Sequence, residues 1–368
     1  MPRFLRSAFA IIALAMPATL SAQGRAGGIL LQGIADAEGW STDTSSNFLE
    51  RNGGKPGAIG RLTLWSAVEP VRGFVLHGLV ETEQGSATEE DEVYVNQFGL
   101  RYTASRFLVA DVGRFPHLVG TFAARRFSSR NPLVGQPDAY PVQYPNGAKL
   151  SGATRFIDYR AGIVDLPAIH EGYTPDPTRA WRPVLGAGFT PIVGVRLGGS
   201  YTWGPYLNDE LTSAQLAGQS WRHYAERIAG ADFAASFGYF ELNSEAAFSS
   251  YDVPNRAEAL DGYAYYVEAK YTLTPRLFIA TRLERNDYPF IMALPNFWVA
   301  RKTDFHDEEY GLGFRVRAST VVKMSYRRDR WHVDAGNQAF VRPGGHAFAI
   351  QLSQSYDVID WIDRARTR

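Results

Sequence analysis

From Gly27 to about Tyr356, apolar and polar residues alternate with a period of two rather than 3.6, so the chain predicts strands and not helices. In YAYYVEAKYTL, the residues Tyr263, Tyr265, Val267, Ala269, Tyr271 and Leu273 share one face, and Tyr266, Glu268, Lys270 and Thr272 share the other. EYGLGFRVRA sets Tyr310, Leu312, Phe314 and Val316 against Gly311, Gly313, Arg315 and Arg317. VVKMSYRR sets Val322, Met324 and Tyr326 against Lys323, Ser325 and Arg327. RLFIATRLE, GVRLGGSYTW and RFIDYRAGIV continue the scheme, with Arg276, Arg282, Glu284, Arg196, Asp158 and Arg160 on the polar face.

The runs are roughly 9 to 13 residues, longer than the about 5 to 6 of sandwich strands and enough to cross a bilayer at a ~45° tilt. Short connectors (Ser105-Arg106, Thr190-Pro191, Phe237-Gly238, Thr274-Pro275, Ser319-Thr320) alternate with long ones rich in Gly, Pro, Asn and Asp, the arrangement of a membrane barrel with turns on one side and loops on the other. Strands centre near residues 32, 63, 78, 98, 110, 146, 160, 186, 198, 230, 245, 268, 281, 312, 325 and 351. An even number is needed for closure, and it is reached only if VQYPNGAKLSGATRFIDYRAGIV turns back at Gly152-Ala153-Thr154. The expectation is an all-β, closed antiparallel transmembrane β-barrel of about 16 strands, with short periplasmic turns and long extracellular loops. Trp65 falls towards a short-turn end, and Trp203, Trp298 and Trp331 towards long-loop ends, as two interfacial girdles would place them.

The first 22 residues read differently: Arg3 and Arg6 precede an apolar run from about Ala8 to Met16, Pro17 breaks it, and Ala22 offers a small residue for cleavage. They are expected to be an export signal, leaving residues 23–368 as one barrel domain. No later run is long and apolar enough for a helical span. Without that signal the chain carries 36 basic and 38 acidic residues, a balance that removes the case for nucleic acid. The absence of cysteine excludes disulfides and a lipoprotein anchor. Of the basic residues only five are lysines (Lys55, Lys149, Lys270, Lys302, Lys323); arginine, always charged and fork-shaped, suits charges fixed along a wall.

This strand grammar, over about residues 27 to 357, resembles the 16-stranded outer-membrane porins that include the phosphate-selective porin O/P-like group, and VGRFPHLVGTFAARRF, NGAKLSGATRFIDYRAGI and LGGSYTWGPYL carry the resemblance locally. The resemblance implies a water-filled pore, often trimeric, with the third extracellular loop folded into the lumen, in the outer membrane of a Gram-negative-type bacterium. Its arginine ladder and lysine cluster do not carry over residue by residue, because the five lysines are scattered. The usual C-terminal aromatic is also displaced: alternation ends at Tyr356, and DVIDWIDRARTR follows.

Counted from the N-terminus, the long loops run about 38 to 57, 84 to 92 and 116 to 141, so FAARRFSSRNPL lies in the third. A long loop after a barrel strand favours function, and Arg125, Arg126 and Arg130 are the candidates for a pore constriction. Alternation places Arg101, Arg160, Arg196, Arg282, Arg315, Arg317, Lys323 and Arg327 on the lumen wall, against Glu81, Asp111, Asp158, Glu241, Glu245, Glu268 and Glu284. Opposed charged walls favour small polar solutes, with a lean towards anions if the loop arginines project inward. The expected partners are the bilayer, its lipopolysaccharide and such solutes; no cofactor is expected.

The seven histidines show no metal-ligand spacing, and there is no H-E-x-x-H, G-x-S-x-G or P-loop. KTDFHDEEY, with Asp304, His306, Asp307, Glu308 and Glu309, offers a divalent cation a place at the outer rim. Two other readings stand beside a passive channel: an outer-membrane enzyme of lipase or protease type, whose site would assemble across strands, and a non-conducting structural or adhesive barrel.

Overall fold

A computed structural model describes residues 28–43, 56–86, 92–137, 142–168, 179–207, 220–254, 257–288, 291–293, 297–299, 303–333 and 344–359. The chain folds as hairpins laid side by side: β1 (Ile29–Thr42), β2 (Gly57–Val71), β3 (Phe74–Gly85), β4 (Glu92–Ser105), β5 (Leu108–Arg114), β6 (Asn146–Ala153), β7 (Ile157–Val164), β8 (Arg182–Ile192), β9 (Val195–Pro205), β10 (Ala225–Phe237), β11 (Phe240–Tyr251), β12 (Leu260–Thr272), β13 (Leu277–Tyr288), β16 (Thr303–Arg317), β17 (Thr320–Val333) and β18 (Gly344–Asp357). Between β13 and β16, β14 (Ile291–Ala293) and β15 (Phe297–Val299) pair only with each other. Sixteen strands therefore form the wall, and β1 closes it on β18, antiparallel, from Gln32↔Asp357 to Thr42↔Ala347. The hairpin that closure requires is formed by β6 and β7, but it turns over residues 154–156, and Gly152 and Ala153 still pair in β6.

The period of two becomes two surfaces. In β18, Ala347, Ala349, Gln351 and Ser353 are buried inside, while Phe348, Ile350 and Leu352 are 47% to 59% exposed outside. Val112, Ile163, Leu185, Phe248, Ile279, Phe314 and Met324 extend this apolar exterior round the wall. Burying one such side chain is worth about 1.5–3 kcal/mol, so the exterior is built for lipid rather than water. Inside, the largest fully buried side chains are Arg182, Arg282 and Arg327. Wall height is uneven: β5, β6 and β7 have 7, 8 and 8 residues, against 15 and 14 in β16 and β17.

Some expectations shift. The turn assigned to Thr190-Pro191 lies at Val193-Gly194, and Pro191 belongs to β8. There Gly194 has φ +89, open to a residue without Cβ. β1 continues to Thr42, so Glu38 to Thr42 are wall and not first loop. Trp65 is not a girdle residue, since its ring meets Phe127 edge-on at 4.5 Å; Trp203 is exposed outside, and the Trp298 and Trp331 side chains lie outside the described positions. KTDFHDEEY is not a loop: it enters β16, where Phe305, Asp307 and Glu309 are buried while His306 and Tyr310 are exposed on the other face. The wall separates the acids, and among the described residues no three side chains form a metal cluster.

Candidate functional site: the third loop inside the barrel

The connection from β5 to β6 enters the barrel. Its apolar residues cause this. Phe115, Leu118, Val119 and Phe122 bury against Val164, Val184, Ile228, Ala247 and Tyr266 of β7, β8, β10, β11 and β12. Further along, Val134 buries with Trp40, Ile59, Ala347 and Ala349 of β1, β2 and β18. The loop is thus fastened at two places on the inner wall, with the arginine-rich stretch between them.

Arg125 and Arg126 are adjacent in sequence and reach nearly opposite walls. Arg125 donates to Glu268 Oε1 at 2.7 Å and to the Tyr266 hydroxyl at 2.9 Å, both on β12. Arg126 donates to Glu81 Oε2 of β3 at 2.7 Å and stacks over Phe127 at 4.6 Å. Around the barrel β3 and β12 are seven strands apart one way and nine the other. Burial works to lower the Arg125 pKa, but Tyr266 and Glu268 outweigh it and the net direction is upward. Arg130 behaves otherwise: it is exposed, its guanidinium donates to the Ala124 carbonyl at 3.1 Å, and it makes no ion pair among the described residues.

The wall is shaped to hold this loop. The Lys323 ammonium, 1% exposed, donates to the carbonyls of Ser128, Asn131 and Leu133 at 3.0, 3.0 and 2.9 Å. Arg282 bridges Glu268, Glu309, the Gly135 carbonyl and Asn131 Oδ1. The Gly135 N–H donates to Glu309 Oε1 at 2.9 Å, the Val134 N–H to Ser325 Oγ at 3.0 Å, and Ser128 and Ser353 share a 2.8 Å hydroxyl contact. Thr121 and Tyr266 donate to Glu245 Oε1, each at 2.8 Å. Arg327 pairs with Asp307 and lies 3.9 Å from Glu284. Arg160 donates to the Leu118 carbonyl at 2.6 Å. Unsatisfied, each of these buried groups would cost about 1–3 kcal/mol, and the charged ones more, so they specify one placement of the loop.

The remaining wall charges lie beside or beyond the loop, Lys149 with its ammonium 4.6 Å over the Phe115 ring. Arg101 donates to Asp111 at 2.7 Å, with His77 and Lys149 at 3.9 and 3.8 Å from the same carboxylate. Arg196 pairs with both Asp158 and Asp232, and Lys270 with Glu241 at 2.6 Å. Arg196, Glu241 and Asn243 border an open cavity of about 230 Å³ beside the short turns. Arg315 and Arg317 are exposed next to the β16–β17 turn, near the mouth rather than the loop. Two groups on the loop itself have moved far from solution behaviour. Burial first, then Arg182, pushes the His117 imidazole down to about 3, and burial pushes the Tyr144 phenol up to about 12.

Sequence reasoning passed over Asp36, Glu38 and Arg61 and set Glu309 at the outer rim, whereas all four face inward. Arg61 donates to Glu38 Oε1 at 2.9 Å and to Glu83 Oε2 at 2.9 Å, and Gln351 donates to Glu38 at 2.6 Å. Period-two alternation with Ala35, Ala37 and Gly39 would have found the two β1 acids.

No family model matches this sequence, and no curated protein does. Among solved structures, the chain is similar to the outer membrane channel DcaP of Acinetobacter baumannii (TM-score 0.63, 9% identity, 91% of this chain and 99% of that one). It is also similar to an anion-selective porin from Comamonas acidovorans (TM-score 0.58, 10% identity, 90% and 100%). A trimer form of in-vitro folded OmpT, an outer membrane protein of Vibrio cholerae, has a TM-score of 0.58 at 12% identity, with 90% and 100% covered. At these identities the likeness is one of fold.

Proposed function

We propose that this protein is an outer-membrane porin, a passive diffusion channel for small hydrophilic solutes, and not an enzyme. The observation that carries the reading is the third loop: it lies inside a sixteen-stranded barrel and ties near-opposite walls through Arg125–Glu268 and Arg126–Glu81. A loop so placed narrows the lumen to a polar passage, and charged side chains on both sides of a narrow passage select by size and hydration. The first 22 residues serve as the export signal in this reading, and the working assembly is a trimer, a form found in the Vibrio cholerae relative by fold.

The lean towards anions rests on two features. Arg130 is the loop arginine without a carboxylate among the described residues, and Asp111 is shared by Arg101, Lys149 and His77, with the Arg101 side chain 46% exposed. The anion-selective porin of similar fold is consistent with it. Conductance and reversal potential in planar bilayers under a salt gradient test the proposal. Stepwise openings with an anion-favouring potential are expected, and the Arg125→Ala/Arg126→Ala/Arg130→Ala variant should conduct more and lose that preference. Absence of steps would remove the channel reading; unchanged conductance and potential in the variant would remove the loop assignment.

A further inference from the structure

The outward residues of the last strands change character in register. Pairing across β12, β13, β16, β17, β18 and β1 aligns one outer row as Tyr271, Ile279, Leu312, Met324, Ile350 and Gly39. The next row towards the long-loop end aligns Thr281, Tyr310, Tyr326, Phe348 and Ser41. Above it stand Leu283, Glu308, Arg328 and His346, then Tyr265, Arg285, His306 and Arg330. Apolar, aromatic and charged rows thus succeed one another, the charged ones holding Arg285, Arg328 and Arg330 with Glu308, as a wall does on passing from hydrocarbon through the interface to headgroups.

Not all the charges in the upper rows are committed. Arg285 is held by Asp304, at 3.0 and 2.7 Å, and stacks over Tyr263 at 5.7 Å. His306 lies 3.2 Å from the same carboxylate. Glu308 faces Arg328 across the strands yet accepts from the Tyr310 hydroxyl at 3.3 Å, and Tyr326 and His346 share a 2.6 Å contact. Arg328 and Arg330 are exposed and make no ion pair among the described residues. Being two apart on one strand, they stand roughly 7 Å from each other on the same face.

Beside them the wall is flat. Below His346, β1 presents Ala35, Ala37 and Gly39 outward, and β2 sets Ala58 and Gly60 against Gly39 and Ala37. Phe348, Ile350 and Leu352 of β18 border this strip, 59%, 50% and 47% exposed. At its lower end the Tyr356 ring lies against Gly33, where a Cβ would meet it at 2.5 Å. The result is a shallow apolar trough leading up to a rim where Arg328 and Arg330 stand across from Glu308 and His306, beside His346, whose backbone N–H donates to Asp43 Oδ2 at 3.1 Å.

We propose that the outer face of β16–β18, with the trough on β1 and β2, is a binding site for a phosphorylated glycolipid of the outer leaflet. Arg328 and Arg330 take its phosphate, His346 flanks them, and an acyl chain lies over Ala35, Ala37 and Gly39. Guanidinium pairs phosphate in a bidentate fork, and a small-residue strip lets a chain lie close to the backbone. The inference rests on the outer-membrane part of the proposed function and is independent of conduction.

The test uses the full-length protein refolded in detergent and titrated with diphosphorylated lipid A, or with lipid A stripped of phosphate, read by native mass spectrometry. The phosphorylated form should bind at least tenfold more tightly. Arg328→Gln/Arg330→Gln should remove that preference, at about tenfold or more in affinity for two juxtamembrane arginines. Arg72→Gln/Arg106→Gln, at the short turns, should leave it intact. Equal binding of the two lipids, or an unchanged preference in Arg328→Gln/Arg330→Gln, would overturn the site. Bilayer recordings of the same variant separate the two proposals, since its conductance is expected to equal that of the parent.

Discussion

Lys323 condenses the difference between facing inward and facing water. Alternation placed it on the lumen wall, where a lysine would be expected to be wet; instead three loop carbonyls surround its ammonium. Lys323→Met should leave those carbonyls unpaired and loosen the loop by about 1–3 kcal/mol while the barrel stays closed. Faster amide exchange over residues 128–133 and a noisier open channel are the expected readouts, and unchanged exchange would dismiss the anchor. His117 gives a pH dependence. Its native pKa is pushed down to about 3, below the roughly 6.5 of an unfolded histidine. The stabilisation is therefore complete above about pH 6.5 and declines as acid protonates the unfolded chain, by about 2 kcal/mol at pH 5. Denaturation midpoints at pH 7 and 5 should diverge less in His117→Gln than in the parent protein.

At the scale of elements, the wall was legible because a strand's two faces are written in consecutive residues. β12 and β17 place their side chains as read from YAYYVEAKYTL and VVKMSYRR. What the pattern could not carry was contact between distant segments. Trp65 lies towards one end of a strand and looks interfacial, but its ring meets Phe127 of the loop, 62 positions away. The FAARRF segment showed its charge, yet its partners Glu81, Glu268 and Tyr266 come from strands on either side of it in sequence. Turn placement erred at Thr190-Pro191 because proline reads as a turn signal, whereas Gly194, at φ +89, makes the turn. Gly194→Val should destabilise that hairpin by at least about 1–2 kcal/mol, since the new Cβ would also lie 2.5 Å from the Ser236 carbonyl. A urea midpoint equal to that of the parent would contradict this account.

For the whole molecule, a formal charge of zero conceals strong local separation. Buried acids on β1, β3, β12 and β16 meet arginines from the wall and the loop, so the interior coheres through ion pairs as well as through the apolar clusters that fasten the loop. Breaking one partner of such a pair costs about 3–5 kcal/mol. Glu268→Ala, which takes a carboxylate partner from both Arg125 and Arg282, should therefore lower the thermal midpoint and widen the conductance distribution together.

The short strands β5 to β7 bear on the membrane itself. At ~3.3 Å per residue and a ~45° tilt, a seven- or eight-residue strand covers about 16–19 Å, well under the about 25 Å apolar band of such barrels; β16 and β17 exceed it. Lipid in contact with the low side must thin while lipid on the high side is stretched, each at a modest elastic cost. The barrel thus carries a built-in azimuth: it deforms its surroundings unequally, and two copies meeting low side to low side share one dimple instead of making two.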